Sequence, residues 1–381
     1  MKAVLFANTD WYLYNFRLNL ARALREAGHE VLLVSPPGPY SEKLRELGFR
    51  WVPAPMVRRS LNPVREAALL LWLRRLFREE RVDLVHGFTI KCAVYGSFAA
   101  RLAGVPARVI AVAGMGYIFT NGDLQAQLLR GLVRACMRLA LVGQGARLIL
   151  QNPDDVALFE QARLVEPGNI RLIHGSGVDC ERFFPALATG PKQARPFRIL
   201  LAARLLRDKG IAEYIAAARQ LRANGFAIEC LLAGDPDPGN PAAVPRGTVE
   251  GWVAEGLVQW LGHVDDMPEL FRSVDAVVLP SYREGLPKGL IEAAACGLPL
   301  VTTDVPGCRE VVTHEIDGLL VPVKDAAALA AAIARLHDDP ALAERLGRAA
   351  REKALARFDE RIVLAQTLAA YHELLDAKMD A

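Results

Sequence analysis

The chain has 381 residues, of which 52% are hydrophobic and 23% charged, and its formal net charge is +3. At roughly 100–200 residues per domain this length predicts two domains, and the composition predicts globular units with large cores. No stretch approaches the roughly 18 uninterrupted apolar residues that a spanning helix needs, which excludes a chain that crosses a membrane. The opening MKAVLFANTD reads as the start of a strand and not as a signal peptide. Six cysteines, Cys92, Cys136, Cys180, Cys230, Cys296 and Cys308, form no C-x-x-C pair, so they read as reduced, mostly buried thiols of a cytosolic protein, with no zinc site. Charge is uneven: residues 1–185 hold 24 Lys and Arg against 16 Asp and Glu, and the remainder 22 against 27. A basic first half predicts an anionic partner for that half: phosphate, nucleic acid or an acidic lipid surface.

In chain order, 4–7 (VLFA) is a short apolar strand, 18–27 a helix closed by Gly28, and 30–35 (EVLLVS) a strand halted by Pro36-Pro37-Gly38. Further strands are predicted at 84–86, 108–113 and 147–151, with helices between them. Asn62-Pro63 suits a helix start, as cap and first residue. The stretch 191–196 (PKQARP) reads as a polar linker, after which the rhythm restarts. Strands are predicted at 197–202, 227–233, 258–261, 276–280 and 299–302, an edge strand at 319–321, and helix at 211–224 and from 326 to the end. Strands alternating with helices predict α/β units with parallel sheets. Two such units facing a central cleft would bind ligands at the carboxyl ends of their strands.

The stretch 281–297 reads SYREGLPKGLIEAAACG. It places Glu284 in a loop after a strand and Glu292 inside the next helix, with Pro287 suited to that helix's first turn. Gly285 allows close backbone approach, and amides at a helix start attract phosphate oxygens. Taken alone, the pair reads as a surface glutamate and one favoured by the helix dipole. It is not alone: 202–210 (AARLLRDKG) sets Arg204 and Lys209 in a strand-to-helix loop on the same sheet edge. A guanidinium fork and an ammonium suit a diphosphate.

The run A-R-L-x-x-x-K-G, L-A-G-D, L-G-H-V-D-D-M and P-S-Y-R-E-G-L-P-K-x-L-I-E-A-x-A-C-G-L-P resembles the retaining glycosyltransferases of family 4, across nearly the whole chain. The resemblance implies the GT-B architecture, two Rossmann-like domains facing a central cleft. It implies an acceptor domain over 1–185, a nucleotide-sugar domain over 186–362, and a terminal helix over 363–381 crossing back to the first domain. It implies that Arg204 and Lys209 hold the diphosphate, that Glu284 contacts the donor sugar, and that Glu292 contacts the ribose hydroxyls. The backbone from Gly285 through Leu286 and Pro287 to Lys288 would meet sugar and phosphates, and Gly262 and His263 would lie by the uracil. In this fold Arg, Lys and the helix dipole meet the diphosphate charge, so no metal and no cofactor are expected, and Asp235-Pro236-Asp237 reads as a turn.

In the first half, three loops are expected to face the acceptor: Asn8, Thr9 and Asp10 with Arg17, then Thr89 and Lys91, then Gly114, Met115 and Gly116. Gly114-Met115-Gly116 is a fragment of G-x-G-x-x-G, with Phe119 in place of the last glycine. Family members often carry a histidine in this last loop; this chain has none there, and His86 is the candidate substitute. Tyr14-Asn15-Phe16-Arg17, Ser60-Leu61-Asn62-Pro63 and the loops at Lys91 and Gly114–Tyr117 resemble the bacterial branch that extends undecaprenyl-diphosphate-linked sugars. That likeness implies a polyprenyl-diphosphate-linked sugar as acceptor and a UDP-N-acetylhexosamine as donor. It fits the basic first half, where Arg74, Arg78 and Arg81 form a stripe beside Leu70 and Phe77, and Arg130, Arg134 and Arg138 a second. The expected location is cytoplasmic, peripheral on the inner membrane, with no nucleic acid bound. The competing readings are a GT-B epimerase and a nonenzymatic nucleotide-sugar binder. A dinucleotide oxidoreductase lacks its full glycine fingerprint here.

Overall fold

The computed structural model describes residues 1–58, 60, 62–112, 124–186, 195–237 and 239–376, with backbone alone at 124–130, 132 and 133. The expected loop of Gly114, Met115 and Gly116, most of the expected linker at 191–196, and the side chain of Arg130 lie outside the described residues. By packing, the chain divides into two units: Met1–Ser176 together with the C-terminal stretch from Val363, and Gly177–Ile362.

The first unit is built on a seven-stranded parallel sheet of order β3-β2-β1-β4-β5-β6-β7. Its strands are β1 (Lys2–Phe6), β2 (Glu30–Ser35), β3 (Arg50–Pro53), β4 (Leu84–Phe88), β5 (Ala107–Ala111), β6 (Ala146–Leu150) and β7 (Ile170–Leu172). Alternation along a strand sends neighbouring side chains to opposite faces. Ala3 and Leu5 of β1 enter one core and Val4 and Phe6 the other. Helix Pro63–Glu79 covers the second face through Leu69, Leu73 and Phe77, and Asn62 caps it by accepting the Val64 and Arg65 amides. Phe77 is therefore core and not a companion to the arginine stripe. Arg74 Nε and Arg78 donate to the Leu102 carbonyl, each at 3.3 Å. They close the last turn of helix Ile90–Ala103, a carbonyl-rich end that attracts cations.

The second unit has a six-stranded parallel sheet of order β10-β9-β8-β11-β12-β13. Its strands are β8 (Phe197–Ala202), β9 (Ile228–Ala233), β10 (Gln259–Gly262), β11 (Ala276–Leu279), β12 (Leu300–Thr303) and β13 (Leu319–Val321). Both sheets are doubly wound, and each unit is Rossmann-like. The end of the chain is not one helix. It breaks into Ala326–Asp338, Pro340–Lys353, a π-helical turn Ala354–Phe358 and Glu360–Asp376.

The last helix packs Val363, Tyr371 and Leu374 into the first unit's core with Ala3 and Leu5. Its Tyr371 hydroxyl shares a 2.5 Å hydrogen bond with His86 Nδ1 on β4. His86 is 1% exposed, and burial beside Arg17 holds its imidazole well below the usual histidine range, so it is neutral. Tyr371→Phe keeps the ring but strands that buried nitrogen. It should cost about 1–3 kcal/mol of stability in chemical denaturation. An unchanged midpoint and slope would show that the bond contributes nothing.

All six cysteines are free thiols, and burial pushes Cys92, Cys230, Cys296 and Cys308 up to about 12. Among the described residues no helix is long and apolar enough to cross a membrane.

Candidate active site

The second sheet grows from β8 in two directions, through β9 and β10 on one side and β11 to β13 on the other. The loops after β8 and β11 leave on either side of that reversal, where open α/β sheets bind ligands. Arg204 and Lys209 lie on the first loop, and Glu284, Gly285, Leu286 and Pro287 on the second.

The two loops are stitched together by backbone. Tyr282 N–H donates to the Asp208 carbonyl at 2.8 Å. Gly210, at φ +71, lies so close that a Cβ would stand 2.0 Å from the Pro280 carbonyl oxygen. Only glycine fits there, both for space and for its left-handed backbone. Behind the second loop, a Cβ on Gly307 (φ +79) would meet the Gly285 and Glu284 carbonyl oxygens at 2.6 and 2.7 Å. These approaches bring Lys209 Nζ to 2.5 Å from Glu284 Oε1, with side chains 17% and 12% exposed. Ser281, fully buried, donates to the same oxygen at 2.7 Å.

Helix Lys288–Ala295 follows. Pro287 occupies its cap position, one residue before the expected first turn, and no side chain caps the start. Glu292 sits one turn in, with its side chain 15% exposed and its Oε1 3.8 Å from Lys288 Nζ. Burial pushes the Glu292 carboxyl above the usual glutamate range, against the opposing pull of Lys288 and Arg182. Arg204 is 55% exposed on its side chain and pairs with Asp237 Oδ2 at 3.0 Å. Asn240 Nδ2 donates to the same Asp237 oxygen at 3.1 Å. Asp235-Pro236-Asp237 is thus more than a turn: Asp237 is Arg204's counter-charge. Gly262 ends β10 at φ +65, and the exposed His263 places Nε2 3.3 Å from Asp265 Oδ1. β10 is the edge strand, with β9 between it and β8, and the Gly262 carbonyl accepts the Gly234 N–H at 2.7 Å.

The first sheet reverses in the same way between β1 and β4. Thr9 accepts the Tyr12 amide and opens a short helix, Asp10–Tyr12, which continues through a π-helical turn Leu13–Arg17 into Leu18–Glu26. The helix predicted from residue 18 therefore starts eight residues earlier, with Asn8 and Thr9 half-buried before it. Asp10 is 3% exposed and its oxygens accept from Trp11 N–H (2.8 Å), Tyr40 N–H (2.7 Å) and the Ser41 hydroxyl (3.0 Å). That carboxylate holds a turn and is not presented as a ligand or nucleophile. Arg17 is buried over the Phe88 ring and donates to the Gly175 carbonyl and the Tyr12 hydroxyl. Lys91, expected to face the acceptor, donates instead to the Val57 and Ser60 carbonyls and pairs with Glu66 at 2.8 Å. Thr89 adopts φ +69, unusual for a β-branched residue, at the end of β4.

From sequence, Asp237 reads only as part of a turn, and Ser281, Glu66 and Tyr371 have no assigned role. Ser281 and Asp237 carry a local signal, lying three residues before Glu284 and in the loop after L-A-G-D. Glu66 and Tyr371 are joined to their partners only by the fold. Among the described residues no group of three His, Cys, Asp or Glu could hold a metal ion.

Comparison with known proteins gives the family and the fold. The family described as "Glycosyl transferase 4-like domain" matches residues 15–175, and "Glycosyl transferases group 1" matches residues 196–339. The N,N'-diacetylbacillosaminyl-diphospho-undecaprenol alpha-1,3-N-acetylgalactosaminyltransferase of Campylobacter jejuni is 28% identical over 372 residues, 95% of this chain and 96% of its own. The UDP-Gal:alpha-D-GlcNAc-diphosphoundecaprenol alpha-1,3-galactosyltransferase of Escherichia coli is 27% identical over 320 residues, 82% of this chain and 80% of its own. In fold, the chain is similar to Anabaena Alr3699/HepE in complex with UDP, with a TM-score of 0.78 at 21% identity, covering 97% of this chain and 99% of that one. With both units matched and both sheets doubly wound, the chain belongs to the family 4 glycosyltransferases and has their GT-B architecture of two Rossmann-like domains.

Proposed function

We propose that this glycosyltransferase moves an N-acetylhexosamine from UDP to an undecaprenyl-diphosphate-linked saccharide, with retention of anomeric configuration and without a metal. The observation that carries the donor half is the Lys209–Glu284 contact of 2.5 Å at the sheet's switch point, with Glu292 one turn into the adjoining helix. Glu292 accepts from the ribose hydroxyls, Arg204 and Lys209 take the diphosphate, and Glu284 takes hydroxyls of the donor sugar. The dipole of the helix that starts at Lys288 adds to the positive field on the phosphates. The C1–oxygen bond to the departing diphosphate breaks as the acceptor oxygen bonds to C1 on the same face. The acceptor hydroxyl proton passes to the departing phosphate oxygen, and no enzyme nucleophile intervenes. The largely buried Lys209 and the more exposed Arg204 at the leaving oxygens stabilise charge as it grows.

The acceptor reading rests on two relatives whose names specify diphosphoundecaprenol substrates and on the basic first half. Within that half, Val57, Arg58, Val64 and Arg65 are exposed together at the start of helix Pro63–Glu79, and this end, rather than the Arg74–Arg78 stripe, would rest on an anionic membrane surface. The test incubates the protein with radiolabelled UDP-N-acetylgalactosamine or UDP-N-acetylglucosamine and a polyprenyl-diphosphate saccharide, followed by organic extraction. Label in the lipid phase supports transfer. Isomerised nucleotide sugar in its place indicates an epimerase, and an unaltered donor a binder.

In the free enzyme Asp237 neutralises Arg204, so it competes with the diphosphate. Asp237→Asn should tighten UDP binding in calorimetry, by no more than about fivefold, because an exposed pair is worth ~0–1 kcal/mol. Weaker binding would show that Asp237 aims Arg204 instead of blocking it.

A further inference from the structure

We infer that Ser281 is the positioning residue for Glu284, holding its carboxylate in the donor-sugar orientation once the diphosphate has drawn Lys209 away. The inference rests on the reading of Glu284 given above. In the free enzyme one carboxylate oxygen, Glu284 Oε1, receives both Lys209 Nζ at 2.5 Å and the Ser281 hydroxyl at 2.7 Å. A diphosphate carries more negative charge than one carboxylate, so it pulls the Lys209 ammonium towards itself. Of the two groups on that oxygen, the Ser281 hydroxyl is then the one that remains.

The serine is well placed for this. It is 0% exposed, and its backbone is fixed independently of its side chain. The Ser281 carbonyl accepts from the Thr303 hydroxyl, and the next amide, Tyr282 N–H, donates to the Asp208 carbonyl at 2.8 Å. The Ser281 hydroxyl has a single proton and three acceptors in range: Glu284 Oε1 at 2.7 Å, the Asp208 carbonyl at 3.1 Å and the Arg283 carbonyl at 3.4 Å. The shortest is also the only charged one, and charge-assisted bonds are the stronger. Asp208 keeps its Tyr282 partner whether or not the hydroxyl is there. Ser281→Ala therefore removes one contact, to Glu284, and leaves the two loops stitched.

The experiment compares wild type, Ser281→Ala, Ser281→Cys, Glu284→Gln and the Ser281→Ala/Glu284→Gln double variant. Binding is read by calorimetry with UDP and with UDP-N-acetylgalactosamine, UDP-N-acetylglucosamine, UDP-glucose and UDP-galactose, turnover by UDP release with a polyprenyl-diphosphate saccharide, and folding by thermal unfolding. Ser281→Ala should leave UDP affinity and melting temperature near wild type. It should erase the extra affinity of the preferred UDP-sugar over UDP and lower kcat roughly ten- to hundredfold, the range for a hydrogen bond to a charged group. Ser281→Cys, with its weaker donor, should fall between Ala and wild type. In the double variant the serine change should add nothing to the Glu284→Gln loss. A Ser281→Ala loss of UDP affinity in step with turnover, or additive losses in the double variant, would overturn the inference. If Glu284→Gln itself binds and turns over like wild type, the reading of Glu284 fails. If Glu284→Gln is impaired and Ser281→Ala is not, only the serine's role fails.

Discussion

Glu284→Gln should cut turnover by roughly 10²–10³-fold, the range for losing one preorganised group at the reacting centre, while UDP affinity stays level or rises. The amide keeps the side chain's shape and one acceptor oxygen. It loses the charge that now pairs with Lys209 at 2.5 Å between side chains 12% and 17% exposed. In the free variant Lys209 is left without that counter-charge, so the melting temperature should fall, since removing one partner of a largely buried pair is costly. UDP supplies an anion to the same ammonium, so it should raise the variant's melting temperature by more than it raises the wild type's. The two effects run in opposite directions, which separates lost chemistry from lost folding. A fall of UDP affinity in step with turnover would move Glu284 from the sugar to the nucleotide. The anomeric configuration of the product is a second reading of the same site. An α-linked product from an α-linked donor is expected from front-side displacement, and a β-linked product would remove retention from the proposal.

What was legible beforehand divides along a physical line. Strands 30–35, 197–202 and 319–321 fall on the predicted residues because each is an apolar run with clear neighbours. β3 (Arg50–Pro53) and β7 (Ile170–Leu172) were missed because they are short outer strands of their sheet with mixed burial, so neither alternation nor a continuous run marks them. The early helix start at Asp10 was hidden by a π-helical turn, which carries no 3.6-residue period to read. In the site, residue types and spacing pointed to Arg204, Lys209, Glu284 and Glu292, since a diphosphate and a set of hydroxyls demand cations and carboxylates at one sheet edge. The identity of each partner was not legible. Asp10 and Lys91 are polar residues in the right loops, yet backbone groups and Glu66 occupy them. Arg74 and Arg78 look like a membrane stripe until the Leu102 carbonyl appears beside them. Pairing across 24 or more residues is a property of the fold, and a one-dimensional pattern does not encode it locally.

Glu292 should show a conflict between function and stability that pH can separate. As a ribose ligand its carboxylate makes charge-assisted bonds, so Glu292→Ala should weaken UDP binding roughly ten- to hundredfold, from about 1.5–3 kcal/mol. Its surroundings disfavour that charge: the side chain is 15% exposed, and burial raises its pKa despite Lys288 and Arg182. A folded-state pKa above the unfolded value of about 4.3 means that the folded protein binds the proton more tightly. The stabilising contribution is complete below that unfolded value and is lost as pH rises through the raised folded one. Glu292→Gln has no such titration. It should match wild type in stability at the acid end of the window, and the difference should grow in its favour as pH rises, levelling off once Glu292 is ionised. UDP affinity should run the other way. In wild type it should fall as pH drops through the raised pKa and the carboxylate takes up its proton, while in Glu292→Gln this component should be flat and low throughout. Denaturation midpoints and UDP calorimetry across the same pH series give both curves. A Gln variant less stable than wild type at neutral pH would mean that Lys288 and Arg182 outweigh the desolvation. A Gln variant that binds UDP as tightly as wild type would take the ribose away from Glu292.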